Sequence, residues 1–208
     1  MLLIFPGTRP SSVVTHPAGF GILPRMNNIF FLRRLAILAA AIVFTSSNAP
    51  SAELLPQGAR LAIIGDSITE QKLYSKFMET YLLACAGRQD MKIFQFGWGG
   101  ETAGGFAGRL ENDLAPFQPA VATTCYGMND GQYRPYAGEI GRSYEDNMRK
   151  VVAGLQKAGV KNVVLGSPGA VDTKYFVRPN FAPLSGADGY NKNLATLRDI
   201  IACRAERT

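Results

Sequence analysis

Three short stretches of this chain hold the residue types and spacings that suit chemistry. Ser67 stands in Gly65-Asp66-Ser67, directly after the apolar run Leu61-Ala62-Ile63-Ile64. Gly100 lies in the glycine-rich turn Gly97-Trp98-Gly99-Gly100-Glu101-Thr102, and Asn129 in Tyr126-Gly127-Met128-Asn129-Asp130. A serine at a sharp turn after a buried strand presents its hydroxyl beyond the strand's carboxyl end, near the N-terminus of the next helix. The helix dipole and free N–H groups there favour an attacking alkoxide and the oxyanion it creates. Gly100 has no side chain to screen its own N–H, and Asn129 adds an amide donor. The N–H groups of Ser67, Gly100 and Asn129 around one crevice suit a tetrahedral acyl-transfer intermediate, with Asp66 and Asp130 beside them as supporting acids.

Each stretch taken alone has a plainer reading. Asp and Ser after a strand are ordinary helix N-caps. A glycine-rich turn can cradle phosphate, although here it follows the second strand and Glu101 would repel an anion. Asn129-Asp130-Gly131 is also a turn signal. The ordered combination is what carries specificity.

The elements that must position these residues alternate between strand and helix patterns. Strands are expected at 60–65, 91–96, 119–126 and 162–166. Leu73, Phe77, Tyr81 and Cys85 recur every four residues and predict a helix with that face inward, ending at Gly87. Phe106, Leu110 and Leu114 mark a second helix, and Tyr144, Met148, Val151, Leu155 and Ala158 a third that stops at Gly159. Tyr190, Leu194, Leu197 and Ile201 mark the last. Alternation at this spacing predicts an α/β fold, a parallel sheet with helices on both faces and its crevice beyond the carboxyl ends of the strands. The long loop 167–186, with Tyr175, Phe176 and Phe181, either walls that crevice or packs on itself.

The 208 residues, 47% hydrophobic, suffice for one domain. Residues 26–34 hold Arg33 and Arg34 without an acid, 35–44 are an apolar run too short to span a bilayer, and 45–52 are small and polar. That is the pattern of a secretory signal, so cleavage near 49–52 and export to the periplasm or medium, with no stable membrane anchor, are expected. Residues 1–25, with Pro6, Pro10, Pro17 and Pro24, are read as an upstream extension ahead of a start at Met26, and 53–208 as the functional domain. Four of the 22 basic residues precede position 53, leaving 18 against 16 acidic ones. So small an excess gives no support to nucleic-acid binding. Cys85, Cys125 and Cys203 lack metal-ligand spacing and are expected as small buried hydrophobes, so no metal or cofactor is implied.

From about Arg60 onward the chain resembles the SGNH hydrolases, also called GDSL-like lipases and esterases. Gly65-Asp66-Ser67 matches the family's first block, Gly100 before Glu101-Thr102 the glycine of the second, and Asn129 the asparagine of the third. Gln95 stands where an asparagine often opens the second block. The resemblance implies a three-layer α/β/α sandwich with a flavodoxin-like sheet of about five strands. It makes Ser67 the nucleophile, and Ser67, Gly100 and Asn129 the oxyanion hole.

The family's fourth block, an Asp-x-x-His that supplies the base, has no counterpart. The one histidine is His16, and no general-base histidine follows it. The chain is therefore expected to be a C-terminally truncated member lacking its last strand, which leaves 162–166 as a bare edge. Two functions follow: an exported esterase acting on acyl or acetyl esters of small molecules or polysaccharides, crippled by loss of its base, or a non-catalytic ester- or glycan-binding module.

Overall fold

The computed structural model describes residues 2–5, 53–176 and 186–205. The expected signal at 26–52, His16 and Phe181 lie outside them. Among the described residues five strands form one sheet: β1 (Leu2–Phe5), β2 (Arg60–Gly65), β3 (Lys92–Gly97), β4 (Val121–Cys125) and β5 (Asn162–Gly166), in the order β1-β5-β4-β2-β3. The four strands β2 to β5 are parallel, with Gly65 of β2 level with Gly97 of β3 and Cys125 of β4. All three chemically suggestive stretches therefore leave the sheet beyond the carboxyl ends of its parallel strands, the serine from β2, which lies between β4 and β3.

The expected bare edge of β5 is covered. β1 pairs with it antiparallel, Leu3 opposite Leu165 and Phe5 opposite Val163. Four apolar residues at a chain start carry no alternation, so the sequence pattern gave them no partner. An unpaired apolar edge templates association between molecules. Deleting residues 1–8 should accordingly move the chain from monomer toward soluble aggregate on size exclusion; an unchanged elution profile and urea midpoint would show that β5 tolerates exposure.

Helices lie on both faces. Over one pack α3 (Ala103–Asp113), α4 (Gly138–Lys157) and α5 (Gly186–Ala205). Their predicted stripes are the buried ones: Phe106, Leu110 and Leu114, then Tyr144, Met148, Val151 and Leu155, then Leu197 and Ile201 are all at most 4% exposed. Over the other face, beyond the short α1 (Ser67–Glu70), lies α2 (Leu73–Thr80), continued by a π-turn over Tyr81–Cys85.

For α2 the expected face is the wrong one. Leu73, Phe77 and Tyr81 are 65%, 78% and 64% exposed, and Cys85 is exposed as well. Tyr74, Met78, Leu82 and Leu83 face the sheet instead. Residues 74, 78 and 82 repeat with the same four-residue interval as 73, 77 and 81, and neighbouring positions on a helix differ by about 100°. Periodicity alone does not choose between them. Of the other cysteines, Cys203 is exposed and Cys125 half-buried, with burial pushing its thiol up to about 11.

Candidate active site

Ser67 opens α1 just after the end of β2. Asp66 caps that helix, its Oδ1 accepting from the Ile68 N–H at 3.0 Å, and burial raises its carboxyl above the ordinary range. The turn needs glycine on the neighbouring strand: a Cβ at Gly97 would strike the backbone of Thr69 and Glu70. With Gly97 bare, β3 and α1 approach closely, and the Trp98 N–H donates to Gly65 O at 3.0 Å. That bond ties the glycine-rich turn to the strand end that carries Ser67.

Gly100 is exposed and takes φ +73°, a left-handed conformation that suits glycine. One residue on, Glu101 is joined to the third stretch. Asn129 Nδ2 donates to Glu101 O at 2.9 Å, and Asn129 Oδ1 accepts from the Tyr133 hydroxyl at 2.8 Å. These bonds engage the amide oxygen and one of its two N–H groups. Gln132 and Tyr133 are both left-handed, with φ of +57° and +52°. Such strain persists only where surrounding contacts over-determine it. Tyr133 stacks on Tyr190 with centroids 5.2 Å apart, Phe176 stacks on Tyr190 at 5.6 Å, and Tyr190 donates its hydroxyl to Met128 O. The buried Asn193 of α5 adds bonds to Gly131 O and Arg134 O.

The aromatic residues of the long loop thus divide. Phe176 braces the asparagine turn from beneath, whereas Tyr175 is 73% exposed.

Asp130 has a role the sequence did not specify. Its Oδ1 accepts from Ala103 N and its Oδ2 from Gly127 N, both at 3.0 Å, so it staples the start of α3 to the third turn. Burial nonetheless pushes its carboxyl up to about 6. An acid whose folded value lies above its unfolded one favours folding most when protonated, so its contribution declines as pH rises from about 4 to about 6. A shift of that size corresponds to roughly 3 kcal/mol. Asp130→Asn has no such titration and loses one of two acceptors. The stability advantage of the native chain over this variant should therefore shrink by about 1 to 3 kcal/mol between pH 4.5 and 7.5 in urea unfolding. An advantage that stays constant with pH would exclude Asp130 as the titrating group.

Beneath the turn lies an ion-pair cluster that sequence reading missed. Glu101, its side chain 7% exposed, receives Arg109 Nε at 2.6 Å, Arg109 Nη2 at 2.8 Å and the Tyr126 hydroxyl at 2.7 Å. Arg109 also reaches Phe96 O and Asp113, and its guanidinium carbon lies 5.4 Å from the centroid of the Trp98 ring. The eight-residue interval between Glu101 and Arg109 was the one available signal. Gln95 stays on β3 with both amide atoms enclosed and without a hydrogen-bond partner among the described residues.

The structure therefore brings Ser67, Gly100 and Asn129 to adjacent strand ends, linked by hydrogen bonds from turn to turn. Among the described residues there is no cluster of three metal-ligating side chains, and no helix is long and apolar enough to cross a membrane. Comparison with solved structures gives the same fold. An α/β-hydrolase enzyme, LAE5, from the metagenome of Lake Arreo is 23% identical, with a TM-score of 0.57 over 74% of this chain and 75% of that one. The acetylxylan esterase Axe2 of Geobacillus stearothermophilus is 19% identical, with a TM-score of 0.59 over 74% and 75%. The acetyl xylan esterase AlAXEase is 22% identical, with a TM-score of 0.54 over 71% and 74%. No curated protein matches the chain. The model of the GDSL-like lipase/acylhydrolase family matches residues 63–207, which take in all three turns, and the chain belongs to that family of ester-hydrolysing enzymes.

Proposed function

We propose that the chain is the nucleophile-bearing and oxyanion-bearing part of an exported serine esterase acting on acyl or acetyl esters. The observation that carries this reading is the stitching of the Ser67, Gly100 and Asn129 turns at the ends of β2, β3 and β4. Ser67 Oγ is the attacking atom. As it bonds to the ester carbon, the carbonyl oxygen gains negative charge, which the Ser67 and Gly100 N–H groups and the Asn129 amide are suited to accept. The ester then loses its alcohol to leave an acyl-serine, and water releases the acid.

Proton movement is the missing part. A serine hydroxyl is un-ionised at neutral pH and needs a base on attack and an acid at the leaving oxygen. No residue from 17 to 208 is histidine. The acids that adjoin Ser67 and Asn129 in sequence are engaged elsewhere: Asp66 caps α1, and both oxygens of Asp130 accept backbone N–H groups. This favours a second reading on the same site, a module that holds an ester without cleaving it. Steady-state hydrolysis of p-nitrophenyl acetate, compared with equilibrium binding of a non-chromogenic acetyl ester, separates the two. Fast Ser67-dependent turnover by the 208 residues would overturn the view that the base is absent.

Residues 26–52 support export by the same route as other secretory signals. Expressed from Met26 in a bacterial host, the protein should be processed near 49–52 and recovered outside the cytoplasm. Ala40→Asp, which puts a charge in the middle of the apolar run, should retain it inside. An unprocessed N-terminus in the cytoplasmic fraction would count against export.

A further inference from the structure

We propose that Trp98 is a stacking platform for the sugar of a carbohydrate ester, placed so that an ester group on that sugar meets the Gly100 N–H. The inference rests on the ester-site reading and names its substrate class. Trp98 is the only tryptophan in the chain. It is 61% exposed although it lies in the turn that ends at the oxyanion glycine. Phe77, Tyr81 and Tyr175 are exposed as much or more, but Trp98 differs from them in standing two residues before Gly100 on the turn bonded to the end of β2.

Its position is fixed at both backbone and side chain. The Trp98 N–H bonds to Gly65 O, two residues before Ser67, and Trp98 O accepts from the Glu101 N–H at 3.2 Å. The Arg109 guanidinium sits over the ring and is itself held by Glu101, Asp113 and Phe96 O. A ring ordered before the ligand arrives loses little freedom on binding.

The surroundings select a sugar over an acyl chain. An acyl chain needs a concave apolar wall. Here the neighbours of Trp98 are Gly99 and Gly100, which offer bare peptide groups, and the Glu70 carboxylate, which lies against Gly99, 2.8 Å from where a Cβ would stand. A flat ring beside a carboxylate and open backbone fits a pyranose, whose C–H face stacks while its hydroxyls donate to the acid.

The sole tryptophan is its own reporter. The 208-residue chain would be titrated with acetylated xylotriose, with the same xylotriose deacetylated, and with ethyl butyrate, following Trp98 emission and, for the variants, heat of binding. The expected result is a saturable emission change with the acetylated sugar and a weaker one with the deacetylated sugar. Trp98→Ala should lose about tenfold in affinity for the acetylated sugar, Trp98→Phe should keep most of it, and ethyl butyrate should be indifferent to either change. Sugar-ester binding without an emission change, or undiminished in Trp98→Ala, would overturn the platform and leave the ester site standing. Binding of ethyl butyrate but not of acetylated xylotriose would do the same. Equal affinity for acetylated and deacetylated xylotriose, both lost in Trp98→Ala, would keep the platform and overturn the ester-site reading. No binding of any of the three would overturn both.

Discussion

Extended by a segment that carries an Asp-x-x-His and one further strand, the chain should turn over p-nitrophenyl acetate about 10³-fold faster or more than the 208 residues do, and Ser67→Ala should abolish the gain. The size follows from what the missing group does. Removing a member of a serine triad leaves roughly 10³ to 10⁴-fold acceleration over water from the oxyanion hole and binding alone. The proposed donor Asn129 is held for such a role by Glu101 O and the Tyr133 hydroxyl. The 208-residue chain should accordingly show a trace rate that is more sensitive to the oxyanion donors than to the serine. Tyr133→Phe, which frees Asn129 Oδ1, should lower it. If the extended chain gained nothing while folding normally, the Ser67 crevice would be a binding site by design.

The parts of this fold that were legible are those where one stripe of apolar residues dominated its segment. Tyr144, Met148, Val151 and Leu155 have no competing set on α4, and all are buried. On α2 two sets compete, and the sheet took Tyr74, Met78 and Leu82 over Leu73, Phe77 and Tyr81. The three turns to which reacting groups are assigned in the proposal were legible in place because each follows the carboxyl end of a parallel strand. Their supports were not, because they come from far along the chain: Tyr190 and Asn193 reach the asparagine turn from about sixty residues away.

The edge of β5 shows a different limit. Nothing in Leu2–Phe5 identifies its antiparallel partner, and the secretory reading competes with the pairing. Cleavage near 49–52 would remove β1 along with the signal, so the exported domain would need another strand to cover Val163 and Leu165.

Glu101→Ala should destabilise the domain by about 3 kcal/mol and loosen the Gly100 turn with it. The side chain is 7% exposed and receives two nitrogens of Arg109 and the Tyr126 hydroxyl. Taking the carboxylate away leaves a partly buried guanidinium without its main partner and a buried hydroxyl without its acceptor, and breaking a buried pair from one side costs about 3 to 5 kcal/mol. Arg109 retains Asp113 and is 21% exposed, which places the cost toward the lower end. Glu101→Gln keeps one acceptor for Tyr126 or Arg109 and should fall between. Replacing Glu101 and Arg109 together by methionine should recover much of the loss, because no unpaired charge then remains. Urea unfolding of the native chain, Glu101→Met, Arg109→Met and the double change gives the coupling as a double-mutant cycle. The same change should be visible at the site: Arg109 lies over Trp98, and Glu101 O holds Asn129, so the tryptophan emission of Glu101→Ala should shift before global unfolding begins. A loss under 1 kcal/mol with unaltered emission would mean that the ion pair is bystander to both the fold and the turn.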